Sequence, residues 1–364
     1  MKLVAVESLS PGVCLSKSIY NEQGHILVKK GIALTTTVIN RLKILGISYV
    51  YIQDDRTQDI DAYSSIPSEA RNRAMNTIRD SFLKLKNQPS GRKQISLFEQ
   101  SLRDITEITD EFVRDLTDND DVFSLLTDVY VYDNYVFSHS VNVTLYALAL
   151  GIELGMSQKE LEKLGVGGML HDVGKMFIPN EILNKPGKLT NEEFSIIKKH
   201  TTYGFELLRE IPSVSIISAY CARQHHERLD GTGYPYGLKE DQIHYFSKVL
   251  AIADVYDAVT SHRIYRKAML PHEALEILYA GAGTHFDREM VEAFRKAITI
   301  YPIGLSVTLS DGRKGIVSGQ NKGLSDRPIV RVLEENQIKL TEPYHVDLKE
   351  QVDIVITASE TTIS

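Results

Sequence analysis

The chain has 364 residues, of which 43% are hydrophobic and 24% charged, with a formal net charge of -7. These values fit a globular protein of two or three domains and exclude disordered and fibrous classes. An acidic balance offers no general field for polymeric nucleic acid or an anionic membrane, so an anionic ligand must be met by local cations.

Met1 to Pro11 carries no basic region followed by a sustained apolar core, so no secretory leader is expected. Cys14 and Cys221 stand far apart without a C-x-x-C partner, which fits two reduced thiols and a cytoplasmic location. From Val4 to Ile52, strand-like runs punctuated by Gly24 and Gly31 surround helical spacing at Thr37 to Leu45, and Tyr49 to Ile52 returns to a strand pattern. A small α+β module over 1–60 is expected. Asp54 to Ser65 is polar and aperiodic, as in a linker.

Helical spacing begins near Ser68 and is interrupted at Gln88 to Gly91, giving a connector over 61–117. Its second half aligns Ile95, Phe98, Leu102, Ile105, Ile108 and Phe112 on one stripe. Either the same subunit covers that stripe, or a homodimer does through a helix pair. Between Val122 and about Ile300 nearly everything reads as helix. Ser157 with Glu160 and Thr190 with Glu193 have the S/T-x-x-E form that satisfies free amides at a helix start. The apolar stretch around Val143 to Met156 falls short of the ~20 residues of a membrane span and reads as a buried core helix, with no membrane insertion. Gly304 to Ile356 returns to β alternation, with a hairpin signal at Asp311-Gly312 and Val307, Leu309, Val330 and Val332 facing inward.

Chemistry concentrates in the helical middle. His139, His171, His200, His225 and His226 all fall there, together with Asp172 and Asp254, on five successive predicted helices that a bundle can converge. In His171-Asp172, neighbouring helical side chains diverge by about 100°, so each can approach an ion from a different side, and a carboxylate has two oxygens for bridging. Imidazole and carboxylate without thiolate suit iron, manganese, nickel, cobalt or zinc rather than a sulfur-bound structural zinc. Two ions about 3.5–4 Å apart would acidify a shared water and offset phosphoryl charge.

His171-Asp172-Val173-Gly174-Lys175, then His225-His226-Glu227-Arg228-Leu229-Asp230-Gly231-Thr232-Gly233-Tyr234-Pro235, then Asp254-Val255-Tyr256-Asp257-Ala258 and Arg263-Ile264-Tyr265-Arg266, resemble the HD-GYP domain, a branch of the HD phosphohydrolases. The resemblance covers roughly Asp118 to Ile300. It implies a mainly α fold: an HD-type metallohydrolase bundle over 118–302, flanked by the N-terminal α+β module and a small β-rich module over 303–364.

The resemblance also implies hydrolysis of cyclic di-GMP to pGpG, with GMP as a further product, by a metal-bridged hydroxide. A catalytically weak cyclic di-GMP-binding module, and an HD phosphohydrolase acting on another cyclic dinucleotide, are the rival readings. By the same resemblance His139, His171, Asp172 and Asp254 hold one divalent ion, Asp172, His200, His225 and His226 the other, with iron or manganese expected first.

Lys175 would stabilise charge at the scissile phosphate, or else cap the helix begun at Ser157. Gly233, Tyr234 and Pro235 line the substrate pocket in the family, with a plain rigid turn as the alternative. Arg263 and Arg266 share a helical face and could grip phosphate or guanine oxygens, or pair with surface acids. Asp257 would orient a ligand histidine. Some family members recruit a third ion with a glutamate one turn before the first ligand histidine; Tyr135 stands there, so two ions are expected.

Overall fold

The computed structural model describes residues 1–21, 25–61, 66–87, 92–118, 129–131, 135–185, 187–261 and 268–362. It opens with β1 (Lys2–Ala5), β2 (Ile19–Asn21), β3 (Ile26–Val28), α1 (Thr36–Ile44) and β4 (Tyr49–Ile52). The Thr35 hydroxyl caps α1 by accepting from Val38 N. Strands β1 and β4 pair antiparallel, Leu3 opposite Tyr51.

Two long helices follow, α2 (Ser68–Asn87) and α3 (Arg92–Asp118), and then β5 (Val129–Val131). β5 pairs in parallel with β2, so the chain returns to its first module before entering the helical body. The body comprises α4 (Tyr135–Glu153), α5 (Gln158–Leu170), a 3-10 turn (Val173–Phe177), α6 (Asn180–Leu183), α7 (Asn191–Arg209), α8 (Ile216–Gln224), α9 (Tyr245–Thr260), α10 (Pro271–Ala280) and α11 (Arg288–Ala297). β6 (Ser306–Leu309), β7 (Lys314–Gly319), β8 (Ile329–Glu335), β9 (Ile338–Asp347) and β10 (Ile356–Glu360) complete the chain as one antiparallel sheet in the order β10-β6-β7-β8-β9.

The elements follow local chemistry. Both expected capping boxes form: Ser157 N donates to Glu160 at 2.8 Å and Thr190 N to Glu193 at 2.7 Å, starting α5 and α7. The β6–β7 hairpin turns at Asp311-Gly312, where Gly312 takes φ +87°. Val307, Leu309, Val330 and Val332 are all buried, as their alternation requires.

One core runs from Ile66 to Ile300 and takes in α2 and α3 with the helical body. Phe98, Leu102, Ile105, Ile108 and Phe112 are buried within it, so the chain itself covers that stripe and a second copy is not required for it; the side chain of Ile95 lies outside the described residues. Phe112 is fully buried, and Phe112→Ala is expected to cost about 3–5 kcal/mol through lost burial and a residual cavity, measured by denaturant unfolding.

α5 sits centrally, and its Gly-Val-Gly-Gly run explains how. A Cβ at Gly165 would strike Thr109 of α3, one at Gly167 would lie 2.8 Å from Cys221 Sγ of α8, and one at Gly168 2.7 Å from Thr144 Oγ1 of α4. Helix propensity is given up there so that three neighbours can approach. No helix among the described residues is long and apolar enough to cross a membrane.

The terminal modules share a core in which Met1, Leu3 and Tyr51 pack with Leu305, Val307 and Leu348. The polar segment after Asp54 is tied to the C-terminal sheet: Ile60 is buried against Ile316 and Leu333, and the carboxylate of Asp59 takes a two-pronged ion pair from Arg331.

Candidate metal centre

Five helices deliver the histidines and acids to one buried spot: α4 brings His139, the end of α5 His171, α7 His200, the end of α8 His225 and His226, and α9 Asp254 and Asp257. His171 and Asp172 do not sit mid-helix as the doublet suggested. His171 is the C-cap that follows Leu170 at the end of α5, still with helical dihedrals (φ -56°, ψ -33°), and Asp172 turns the chain into the 3-10 segment (φ -99°, ψ 8°).

Four imidazoles are oriented in one way. The Nδ1 of His171, His200 and His225 reaches its own helix's carbonyls at Gly168 (2.7 Å), Ile197 (2.7 Å) and Cys221 (2.9 Å), and Nδ1 of His139 reaches Asp257 Oδ2 at 2.7 Å. With Nδ1 donating, a neutral ring turns its Nε2 lone pair to the interior. His226 differs, presenting Nδ1 to Asp254 Oδ2 at 3.4 Å.

Asp172 lies between two groups of these nitrogens. Its Oδ2 is 3.3 Å from His171 Nε2 and 3.7 Å from His139 Nε2, while Oδ1 is 3.4 Å from His200 Nε2 and 4.0 Å from His225 Nε2. Asp254 closes the arrangement, with Oδ1 3.0 Å from His139 Nε2. Donor atoms of His139, His171 and Asp254, of His171, Asp172 and His225, and of His200, His225 and His226 fall in mutually close sets.

The electrostatics suit cations. Burial alone would raise the Asp172 carboxyl, but the Lys175 ammonium and the His171 and His200 rings hold it well below the usual carboxylate range. Burial keeps His225 and His226 far below the ordinary imidazole value and lowers His200 to about 4, leaving neutral rings with free lone pairs. Burial opposes charge on His139 too, yet the Asp254 and Asp257 carboxylates outweigh it and hold that ring at about 9. His171 Nε2 and Asp172 Oδ1 are buried with no hydrogen-bond partner. Orphaned buried atoms of this kind are costly, and a divalent ion satisfies them. The donor set therefore fits resident divalent metal.

Lys175 lies beside the cluster, its Nζ 2.5 Å from Asp172 Oδ2. Tyr234 stacks on His226 with centroids 4.6 Å apart, and Lys198 Nζ stands 5.3 Å from the same phenol ring. Gly233 has a packing role: a Cβ there would lie 2.5 Å from both His226 O and Glu227 Cα. Pro235 follows through a cis peptide bond. Arg263, Arg266 and the side chain of Tyr135 lie outside the described residues.

Several contributors carried no separate signal in the sequence. Buried Glu227 closes the Gly-Tyr-Pro loop by accepting from Tyr236 N and Leu238 N, both at 2.9 Å. Asn142 Nδ2 donates to Asp257 Oδ1 at 2.9 Å, and buried Arg71 on α2 donates to Asn142 Oδ1 at 3.4 Å. Asn142 could have been found as the residue one turn after His139; Arg71, from another helix, could not. Asp257→Asn should leave the fold intact and lower metal affinity or activity by about 10–100-fold, because only the carboxylate both accepts from His139 and raises its basicity. Metal content against free-ion concentration measures this, and an unchanged isotherm would give Asp257 a packing role alone.

The HD domain family matches residues 125–290. Residues 125–290 are an HD domain of the HD-GYP branch. The chain aligns with a cyclic di-GMP phosphodiesterase, PA4108, of Pseudomonas aeruginosa, 37% identical over 241 residues, 66% of this chain and 58% of that protein. A cyclic di-GMP phosphodiesterase of Thermotoga maritima is 35% identical across 62% of this chain and 59% of its own. A 3'3'-cGAMP-specific phosphodiesterase 3 of Vibrio cholerae is 35% identical across 46% of this chain and 36% of its own. The chain thus spans less than two thirds of the length of these relatives. HD phosphohydrolases use divalent metals, in keeping with the donor set.

Proposed function

We propose that this chain is a metal-dependent phosphodiesterase that opens cyclic di-GMP to linear pGpG. One observation carries the reading most: the two oxygens of a single buried carboxylate, Asp172, face separate groups of imidazole nitrogens. His139, His171, Asp172 and Asp254 would hold one ion and Asp172, His200, His225 and His226 the other, with iron or manganese suited to such nitrogen and oxygen donors. When bound, the pair supplies Lewis acidity that activates water and offsets phosphate charge.

The chain's own residues supply the rest. Asp172, ionised throughout the working range, keeps its two oxygens apart. Lys175, with its side chain 17% exposed beside Asp172, is positioned to neutralise a phosphate oxygen as charge develops. Tyr234, whose phenol burial keeps it neutral, offers a ring face against a base. Arg263 and Arg266 follow α9 in the sequence and would add two guanidinium forks for phosphate or guanine.

A second cyclic dinucleotide is favoured by the resemblance to a cGAMP-specific enzyme. Both are tested together: protein loaded with Mn²⁺ or Fe²⁺ under reducing conditions is given cyclic di-GMP and 3'3'-cGAMP in competition, and products are separated chromatographically. Linear pGpG should predominate. Predominant cGAMP cleavage would change the substrate, and absence of any product from metal-loaded protein would overturn the enzyme reading.

A further inference from the structure

The two terminal modules meet along β1, where Leu3 N donates to Gly304 O at 2.8 Å and Ala5 N to Thr361 O at 2.7 Å. Beside this seam lies a cavity of about 140 Å³ whose lining includes Lys2, Arg56, Lys314, Glu334, Lys339 and Glu360. It shares no residue with the metal centre.

Its charge is unbalanced. Lys314 is offset by Glu334 at 3.7 Å, and Arg56 lies 3.7 Å from Asp54. Lys2 is different: only 5% exposed, it lines the cavity and its ammonium makes no close hydrogen bond or ion pair among the described residues, Asp54 and Glu360 acting on it only at longer range. Burial lowers its pKa, Asp54 and Glu360 opposing that shift and Arg56 and Lys339 reinforcing it. A buried charge is normally paired, because desolvation is otherwise unrelieved. A buried lysine, with Arg56 half-buried, Lys339 exposed and Lys314 on the same lining, sets four cations against Glu334 and Glu360, and this positive excess is complementary to an anion.

We propose that this cavity binds a small oxyanion, a phosphate- or carboxylate-bearing metabolite, with Lys2 at its floor and Arg56 and Lys339 towards its mouth. Such a site lies in the seam itself, so occupancy would tie the N-terminal strand pair to the C-terminal sheet.

The test is calorimetric titration of the full chain with inorganic phosphate, pyrophosphate and malonate. At least one should bind saturably at a single site, and preference between the phosphates and malonate assigns the ligand's class. Lys2→Met should weaken that binding by about tenfold or more, the loss of one charge-assisted contact. The variant should melt no lower than the parent, since it removes a charge whose desolvation outweighs its distant carboxylates. Lys339→Ala, on an exposed strand position, tests the mouth without risk to the core and should also weaken binding. Asp172→Ala should bind as the parent does, separating this site from the metal centre. Saturable binding by none of the three anions, parental affinity in both lysine variants, or loss of binding in Asp172→Ala would each overturn the proposal.

Discussion

Asp172→Ala is expected to lower cyclic di-GMP turnover by on the order of 10³-fold or more, since metal assistance is worth several kcal/mol and each ~1.4 kcal/mol is tenfold in rate. The loss should be this large because the two oxygens of Asp172 face separate groups of histidine nitrogens, His139 and His171 on one side and His200 and His225 on the other. Removing it leaves His171 and His200 without the carboxylate between them, so metal content should fall together with rate. Asp172→Asn separates charge from shape: it retains an oxygen and the volume but loses the anion, and should lose metal almost as fully. Metal analysis of protein purified without oxygen, paired with product chromatography, reads both quantities. Full activity in a metal-free preparation of either variant would remove the basis of the proposed chemistry.

The donor residues were legible because histidines next to carboxylates are chemically conspicuous, and the capping boxes at Ser157 and Thr190 and the Asp311-Gly312 hairpin are local signals with local causes. What stayed hidden depends on contacts across the chain. Arg71 reaches the site from α2 through Asn142 and Asp257, a route no periodicity encodes. Glu227 reads as one more charge in the histidine motif, yet it is buried and ties down the following loop. The helical geometry assigned to His171-Asp172 was wrong in detail because α5 ends at that doublet. Lys2 reads as an ordinary surface lysine at the start of a strand. In the fold it is buried and lines a cavity together with residues of the C-terminal sheet.

Gly174 illustrates the same limit and makes the sharpest stability test. In the sequence it is the glycine between His171-Asp172 and Lys175, with no side chain to assign. In the fold, the 3-10 turn packs directly on α7: a Cβ on Gly174 would overlap the His200 carbonyl oxygen and lie 2.6 Å from Gly204 N. These are backbone atoms, so no rotamer change relieves the clash, and Gly174→Ala should cost about 3 kcal/mol, the upper end for overpacking. The same displacement would move α7 away from the turn, separating His200 from Asp172. Metal retention and turnover should therefore fall alongside the unfolding midpoint. Gly187→Ala, a glycine with φ +108° and open space around it, serves as a comparison: it should lose stability through backbone strain without loss of metal. Should Gly174→Ala unfold at the parental midpoint and keep its metal, the turn and α7 cannot be packed as described, and the geometry that brings Asp172 to His200 would fall with it.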